Sequence, residues 1–386
     1  MATDLQTALY ELTAHPSTDQ PFLSVYLDWV PDGNGQRPSV MILERELDQI
    51  AARLAGDSPH RKSFEADRQR IMDYANSEAP KEARGLALFA CDAEGVWHAL
   101  PLRAPVETRV VLDGYPHTFD LARLIDNYKT YAVVLAEGQE SHIFVIALDG
   151  VEQVGATEAT EKIKRFDQGG QAQMLFQRRT NNLIKAHSKD IAEQLDKVIK
   201  RYDVQYVVIA ANDSIKGAIM DTLPEQIKSK LVDYIHLDPA SSIKTIVETV
   251  EPMIREAEHE REAGDLAKLE KQMTAKGGLG ALGLADTALA LSKGQVGTLL
   301  MLRSFSGEGG ECPSCGMLRA GQRNKCPYDG AELRPVDLRE AFTARTVQQS
   351  ARVQIVDASD YLATHDGVGA LLRYRDDEQA RAVNAG

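Results

Sequence analysis

Three domains of mixed α/β and α+β class are what this 386-residue sequence predicts. Three observations carry that expectation. A chain of this length suggests two or three domains. Short apolar runs of strand length alternate with long amphipathic stretches. A glycine break, Gly277-Gly278-Leu279-Gly280, separates a long polar helical stretch from a fresh set of strands. The expected boundaries are 1–126 for an N-terminal α+β domain, 127–275 for a middle α/β domain and 276–386 for a C-terminal α/β domain.

The elements follow in order. Leu5 to Thr13 reads as a short helix, and Phe22 to Asp28 alternates like a half-buried strand. Charged amphipathic stretches at about Pro38 to Leu54 and about Lys62 to Ser77 predict helices. Strands are expected at Gly85–Cys91, Trp97–Leu102 and Thr108–Leu112. In the middle domain, Tyr131–Leu135 and His142–Ala147 read as strands, Ala172–Arg201 as a long helix, and Val204–Ala211 as a buried strand. Asn212-Asp213-Ser214 then offers a helix N-cap. A polar helix at about Ile243 to Ala275 leads out. The last domain shows helices at Ala285–Lys293 and Asp337–Ser350, and strands at Thr298–Leu302, Val353–Val356 and Gly369–Arg373.

Composition narrows the class. A hydrophobic fraction of 43% and a charged fraction of 26% are those of an ordinary globular chain. The first residues lack a basic region followed by an apolar run, so no signal peptide is expected, and no stretch is long and apolar enough to span a bilayer. Three of four cysteines cluster between 312 and 326, which suggests metal ligation in a reducing compartment and a cytoplasmic location. A net charge of −13 argues against nucleic acid as a partner. One arm departs from this balance: Glu161 to Arg201 holds ten Lys/Arg against five Asp/Glu. Such an arm can still meet RNA.

The strongest motif lies in that arm. Gly169-Gly170-Gln171 directly precedes the long helix, between the basic residues Lys162, Lys164 and Arg165 and the basic residues Arg178, Arg179 and Lys185. Alone, the tripeptide occurs by chance in roughly one chain of this length in ten, and an ordinary glycine turn at a helix start explains it. Its cationic flanks change the balance, because two glycines permit a close approach to a partner. The second motif is Cys312-x-x-Cys315, then ten residues, then Cys326-x-x-Asp329. This is the spacing of a zinc ribbon with a carboxylate in the fourth position, a donor zinc accepts. A decayed ribbon held by packing is the alternative. A third pattern, Gly278-x-Gly280-x-x-Gly283, fits a dinucleotide loop only in its glycines. A polar helical stretch precedes it where a strand is required. No P-loop, G-x-S-x-G or H-E-x-x-H is present. The nine histidines, His117 and His187 among them, are scattered and read as surface or packing residues.

In these motifs the chain resembles the archaeal and eukaryotic type of class I peptide chain release factors, with their bacterial, Pelota-like and Balon-like relatives. Gly169, Gly170, Gln171, Ala172, Phe176 and Arg178 match the family's pattern position by position. Gly280 to Gly283, Gly297 to Met301 and Gly367 to Tyr374 resemble parts of its C-terminal domain, in the right order. The resemblance covers about residues 130–375. Leu175 and Thr180 stand where the family usually has arginines.

The resemblance implies a release-factor-like fold with a zinc-ribbon-like insert, structural Zn2+ at Cys312, Cys315, Cys326 and Asp329, and a ribosome-binding factor whose partners are rRNA and peptidyl-tRNA. A translational GTPase of the elongation-factor-Tu class is a further expected partner. It implies Gly169, Gly170 and Gln171 as the catalytic tip for peptidyl-tRNA hydrolysis. No group of suitable pKa is present in the loop, so the chemistry is expected only within the ribosome. The family's decoding motifs, Asn-Ile-Lys-Ser and Tyr-x-Cys-x-x-x-Phe, are absent. Two readings follow: a release or rescue factor, or a non-catalytic occupant of the A site in hibernation or stress.

Overall fold

The computed structural model describes residues 5–54, 56, 58–137, 140–158, 171–238, 241–321 and 325–376. The fold is mixed α/β and divides into two compact units. Met1–Asn127 and Glu262–Gly386 form one, and Tyr128–Arg261 forms the other.

The first segment runs α1 (Leu5–Thr13), β1 (Phe22–Asp28), α2 (Ser39–Arg53), α3 (Pro59–Asp73), β2 (Gly85–Cys91), β3 (Val96–Leu102), β4 (Arg109–Asp113) and α4 (Phe119–Asn127). The strands pair antiparallel in the order β3-β2-β1-β4. One face of the two central strands, through Leu23, Val25, Leu86 and Leu88, packs on Leu43 and Leu47 of α2 and on Phe64 and Ile71 of α3. Burying such side chains stabilises by roughly 1.5–3 kcal/mol each. Helix α3 starts earlier than its apolar pattern suggests. Ser58 accepts a hydrogen bond from the Arg61 amide, and Pro59 takes the first helical position. Helix α4 was not expected from the sequence.

The middle unit holds β5 (Tyr131–Glu137), β6 (Glu140–Ile146), β7 (Val151–Glu158), α5 (Gln171–Tyr202), β8 (Tyr206–Ala211), α6 (Asp213–Thr222), α7 (Glu225–Lys228) and β9 (Leu231–Ile235). Its sheet has the order β7-β6-β5-β8-β9. The β5–β6–β7 pairs are antiparallel, whereas β5, β8 and β9 run parallel. Ile191, Leu195 and Val198 of α5 cover one face together with Ile215 and Ile219 of α6. Ile246, Val250 and Ile254, from α8 (Ile243–Thr274), cover the other. This two-sided burial explains the continuous apolar run of β8. As its sequence suggested, Asn212 caps α6, accepting from the Ile215 amide.

The last segment comprises β10 (Gly280–Leu282), α9 (Leu284–Ser292), β11 (Val296–Leu302), β12 (Glu308–Glu311), β13 (Leu318–Ala320), β14 (Arg334–Asp337), α10 (Leu338–Gln348), β15 (Arg352–Val356), α11 (Asp360–Ala363) and β16 (Val368–Leu372). A four-stranded sheet, β10-β16-β11-β15, carries the core, and β13-β12-β14 forms a small second sheet. The glycines at 278–283 follow helix α8, not a strand, and Gly280 opens β10. That context lacks the strand a dinucleotide loop requires. Phe119 of α4 enters this core beside Leu299, Met301 and Phe342.

Candidate functional site

Helix α5 spans 32 residues, about 48 Å at the usual rise. Its two halves differ. From Ile191 onward, apolar side chains recur at helical spacing and bury against the sheet. His187 and Ser188 precede that stretch, and both are buried. Burial lowers the pKa of His187 below its ordinary value, so it sits there as a neutral packing residue. Toward the N-terminus, none of Arg178 or residues 180–186 is buried, and Arg178 and Lys185 are exposed. Of the described side chains in this stretch, the partly buried Ile184 still packs against the core. The stretch projects Arg178 and Lys185 toward solvent.

Gln171 is the first residue of α5. Gly169, Gly170, Lys162, Lys164 and Arg165 lie outside the described residues, as do the side chains of Gln171 and Arg179. The segment 159–170 joins β7, the edge strand of the sheet, to the N-terminus of α5.

Cys312, Cys315, Cys326 and Asp329 come together as their spacing suggested, with one ligand atom from each lying within 4.8 Å of the others. The two halves of the cluster repeat one backbone turn. In the first, the Cys312 amide donates to Met317 O at 2.9 Å and the Gly316 amide donates back to Cys312 O at 2.9 Å. In the second, the Cys326 amide donates to Ala331 O at 2.9 Å and the Gly330 amide to Cys326 O at 3.0 Å. Each turn closes on a glycine with positive φ, +69° at Gly316 and +74° at Gly330, a conformation glycine adopts without penalty.

Two knuckles thus aim their donors at one point. Cys312 Sγ lies 3.3 Å from Asp329 Oδ2, and Cys315 Sγ lies 3.6 Å from Cys326 Sγ. Tetrahedral zinc with thiolate bonds of about 2.3 Å sets its ligands about 3.5–3.8 Å apart, so the donor set fits such an ion. Burial pushes the Cys312 thiol up, but the backbone N–H groups of Cys315 and Ser314 outweigh it and hold the pKa below its ordinary value. That favours the thiolate at Cys312; at Cys315 the Met317 backbone N–H lowers the pKa, but the Cys312 and Cys326 sulfurs outweigh it and raise it to about 11. The first knuckle is fastened to α10, because Arg345 Nη2 donates to Gly316 O at 2.8 Å and to Glu311 Oε1 at 2.6 Å.

Another polar cluster has no counterpart in any sequence motif. His117 is buried, with Nε2 3.0 Å from Asp113 Oδ2 and Nδ1 3.4 Å from Glu340 Oε1. No spacing rule links residues so far apart in the chain.

No helix of the described residues is long and apolar enough to cross a membrane. Compared with known proteins, residues 116–255 match Bacterial archaeo-eukaryotic release factor family 10. Along nearly its full length the chain is similar to the uncharacterized protein Rv2629 of Mycobacterium tuberculosis (strain H37Rv). The two are 24% identical over 378 residues, covering 93% of this chain and 94% of that one. Among solved structures, it is similar to an archaeal translation termination factor, at 16% identity and a TM-score of 0.27, with 96% and 97% of the two chains covered. Saccharomyces cerevisiae Dom34 aligns at 10% identity and a TM-score of 0.42, covering 76% of this chain and 80% of that one. Over residues 116–255, which include the Gly-Gly-Gln segment and the exposed Arg178 and Lys185 of α5, the chain is thus recognised as similar to bacterial archaeo-eukaryotic release factor family 10.

Proposed function

We propose that the protein is a ribosome A-site translation factor that promotes hydrolysis of the peptidyl-tRNA ester through Gly169, Gly170 and Gln171. The observation that carries this reading is the exposure of Arg178 and Lys185 on α5, the helix that begins at Gln171, inside the family match. Arg178, Arg179 and Lys185 meet rRNA phosphates, aided by Lys162, Lys164 and Arg165. The glycine tip reaches the acyl end of the tRNA. There the Gln171 backbone N–H stabilises the developing oxyanion and the leaving oxygen, and its side-chain amide orients water. The RNA around it supplies the remaining chemistry, so the isolated chain has no esterase activity.

The three-part division fits this work: residues 1–126 carry no decoding loop, 127–275 deliver the tip, and 276–386 dock a translational GTPase of the elongation-factor-Tu class. Zn2+ at Cys312, Cys315, Cys326 and Asp329 acts structurally, joining the two knuckles. The protein works in the cytoplasm.

A second reading is a non-catalytic hibernation or stress factor that fills the A site. Leu175 and Thr180, where the family usually has arginines, favour it, since the grip on phosphate is weaker. One experiment separates the two: peptide release from ribosomes carrying peptidyl-tRNA, with wild type beside Gln171→Ala. Release that falls at least about a hundredfold in the variant supports hydrolysis. Tight binding to vacant ribosomes without release supports occupancy. Absence from ribosome fractions at low salt overturns both, because phosphate contacts are strongest there.

A further inference from the structure

We propose that Asp113, His117 and Glu340 form a proton-operated latch that fastens the 1–127 segment onto the C-terminal segment and tightens on mild acidification. This inference does not rest on the translational role.

The latch is built from residues more than 200 positions apart in the chain. Glu340, on α10, is 2% exposed. Its Oε2 accepts from the Thr118 amide at 2.7 Å and the Phe119 amide at 2.8 Å, the free donors at the start of α4. A carboxylate at a helix N-terminus is favourable both as a cap and against the helix dipole. Its Oε1 faces His117 Nδ1 at 3.4 Å, and Asp113 takes the opposite ring nitrogen at 3.0 Å. Each nitrogen of the buried imidazole therefore faces a carboxylate. Only the imidazolium has donors on both nitrogens. Asp113 is partly exposed, so a neutral ring would leave the buried Glu340 carboxylate with the two amides at the start of α4 but no counter-charge.

The remaining neighbours hold the ring in place without competing for its proton. Tyr115 stacks on it at 5.1 Å, and the Tyr115 hydroxyl accepts from the Asp337 amide. Tyr26 donates to His117 O at 2.8 Å, and Ser24 Oγ accepts from the His117 amide. Asp120, which lies toward Tyr26, is paired with Arg109 at 3.1 Å. A cavity of about 330 Å³ is lined by Glu340 together with His15, Tyr115, Arg345 and Gln348, and the Asp113 side chain is 41% exposed, so solvent reaches the cluster.

Burial alone would depress the His117 pKa, yet the hydrogen bond to Asp113 and the nearby Glu340 carboxylate outweigh it and raise it from 6.5 to about 9. A raised histidine contributes stability that is complete below its unfolded value of 6.5 and is lost as pH rises through about 9. Asp113 is held below its ordinary value, against burial, by His117 and the Gly114 amide. Its contribution is lost only in strong acid. The latch is therefore strongest in mild acid and slackens through neutrality into the alkaline range.

The test is amide hydrogen exchange on the full chain, corrected for the intrinsic pH effect. Protection at Thr118 and Phe119 is expected to fall about tenfold or more from pH 6.5 to 8.5, since each pH unit inside the window is worth up to about tenfold. Core amides of β8 in the other unit serve as the reference and change less. His117→Gln should make the profile flat. Equal pH dependence in both places, or a pH-dependent profile in the variant, overturns the latch. Should the variant fail to fold, NMR titration of the wild-type His117 ring decides. A midpoint well above 6.5 supports the proposal and one at or below 6.5 overturns it.

Discussion

Two sets of charges sit in opposite circumstances in this protein. In the first half of α5, Arg178 and Lys185 stand in water. Around α4, His117 and Glu340 are buried among their partners. An exposed ion adds little to stability because water screens it and already solvates it. A buried ion that loses its partner is destabilising, because nothing replaces the lost solvation. Charged side chains therefore serve different ends: the first set is available to an outside partner, and the second holds distant parts of one chain together.

Substitutions can break this contrast at three depths. The largest effect is expected from Glu340→Ala, which orphans two helix-start amides and the facing imidazolium. Destabilisation of about 3–5 kcal/mol, read by denaturant unfolding, is expected; a loss under about 1 kcal/mol would mean the buried set is no more structural than the exposed one. An intermediate effect is expected at Gly316, where Arg345 is only partly exposed. A Cβ there would stand 2.8 Å from Arg345 Nη2, at a φ of +69°. Gly316→Ala should cost about 1–3 kcal/mol and lower the zinc retained per chain, measured by metal analysis. Unchanged metal content would separate the knuckle from its Arg345 support. The smallest effect on folding belongs to the double variant Arg178→Ala, Lys185→Ala, within about 0.5 kcal/mol of wild type. Its ribosome binding should nevertheless weaken, with the salt dependence shallower by about two units of slope. A marked loss of stability would show that this half of α5 is not free surface.

Much of the architecture was legible because periodicity reports burial. β1, β2, β8 and β11 carry apolar runs that lie in the sheet interiors, and each was expected within a few residues. Helix α4 escaped notice. It is only nine residues long, and its start is capped from α10, not by a nearby side chain. Strand β7 escaped because Glu152, Gln153 and Gly155 break the apolar pattern, as an edge strand with a wet face allows. The cysteine cluster was readable from spacing, since a knuckle is a local motif. In the sequence His117 is one scattered histidine among nine, and no local rule pairs it with Glu340. Only the folded chain brings the two together.

The cap on α4 also bears on how the chain is made. The Thr118 amide and the Glu340 carboxylate that receives it are 222 residues apart. At 5–20 residues per second of synthesis, the helix start waits about 10–40 s for its acceptor to emerge. During that interval water must stand in for Glu340, and the half-finished N-terminal segment is held by its own sheet and helices alone.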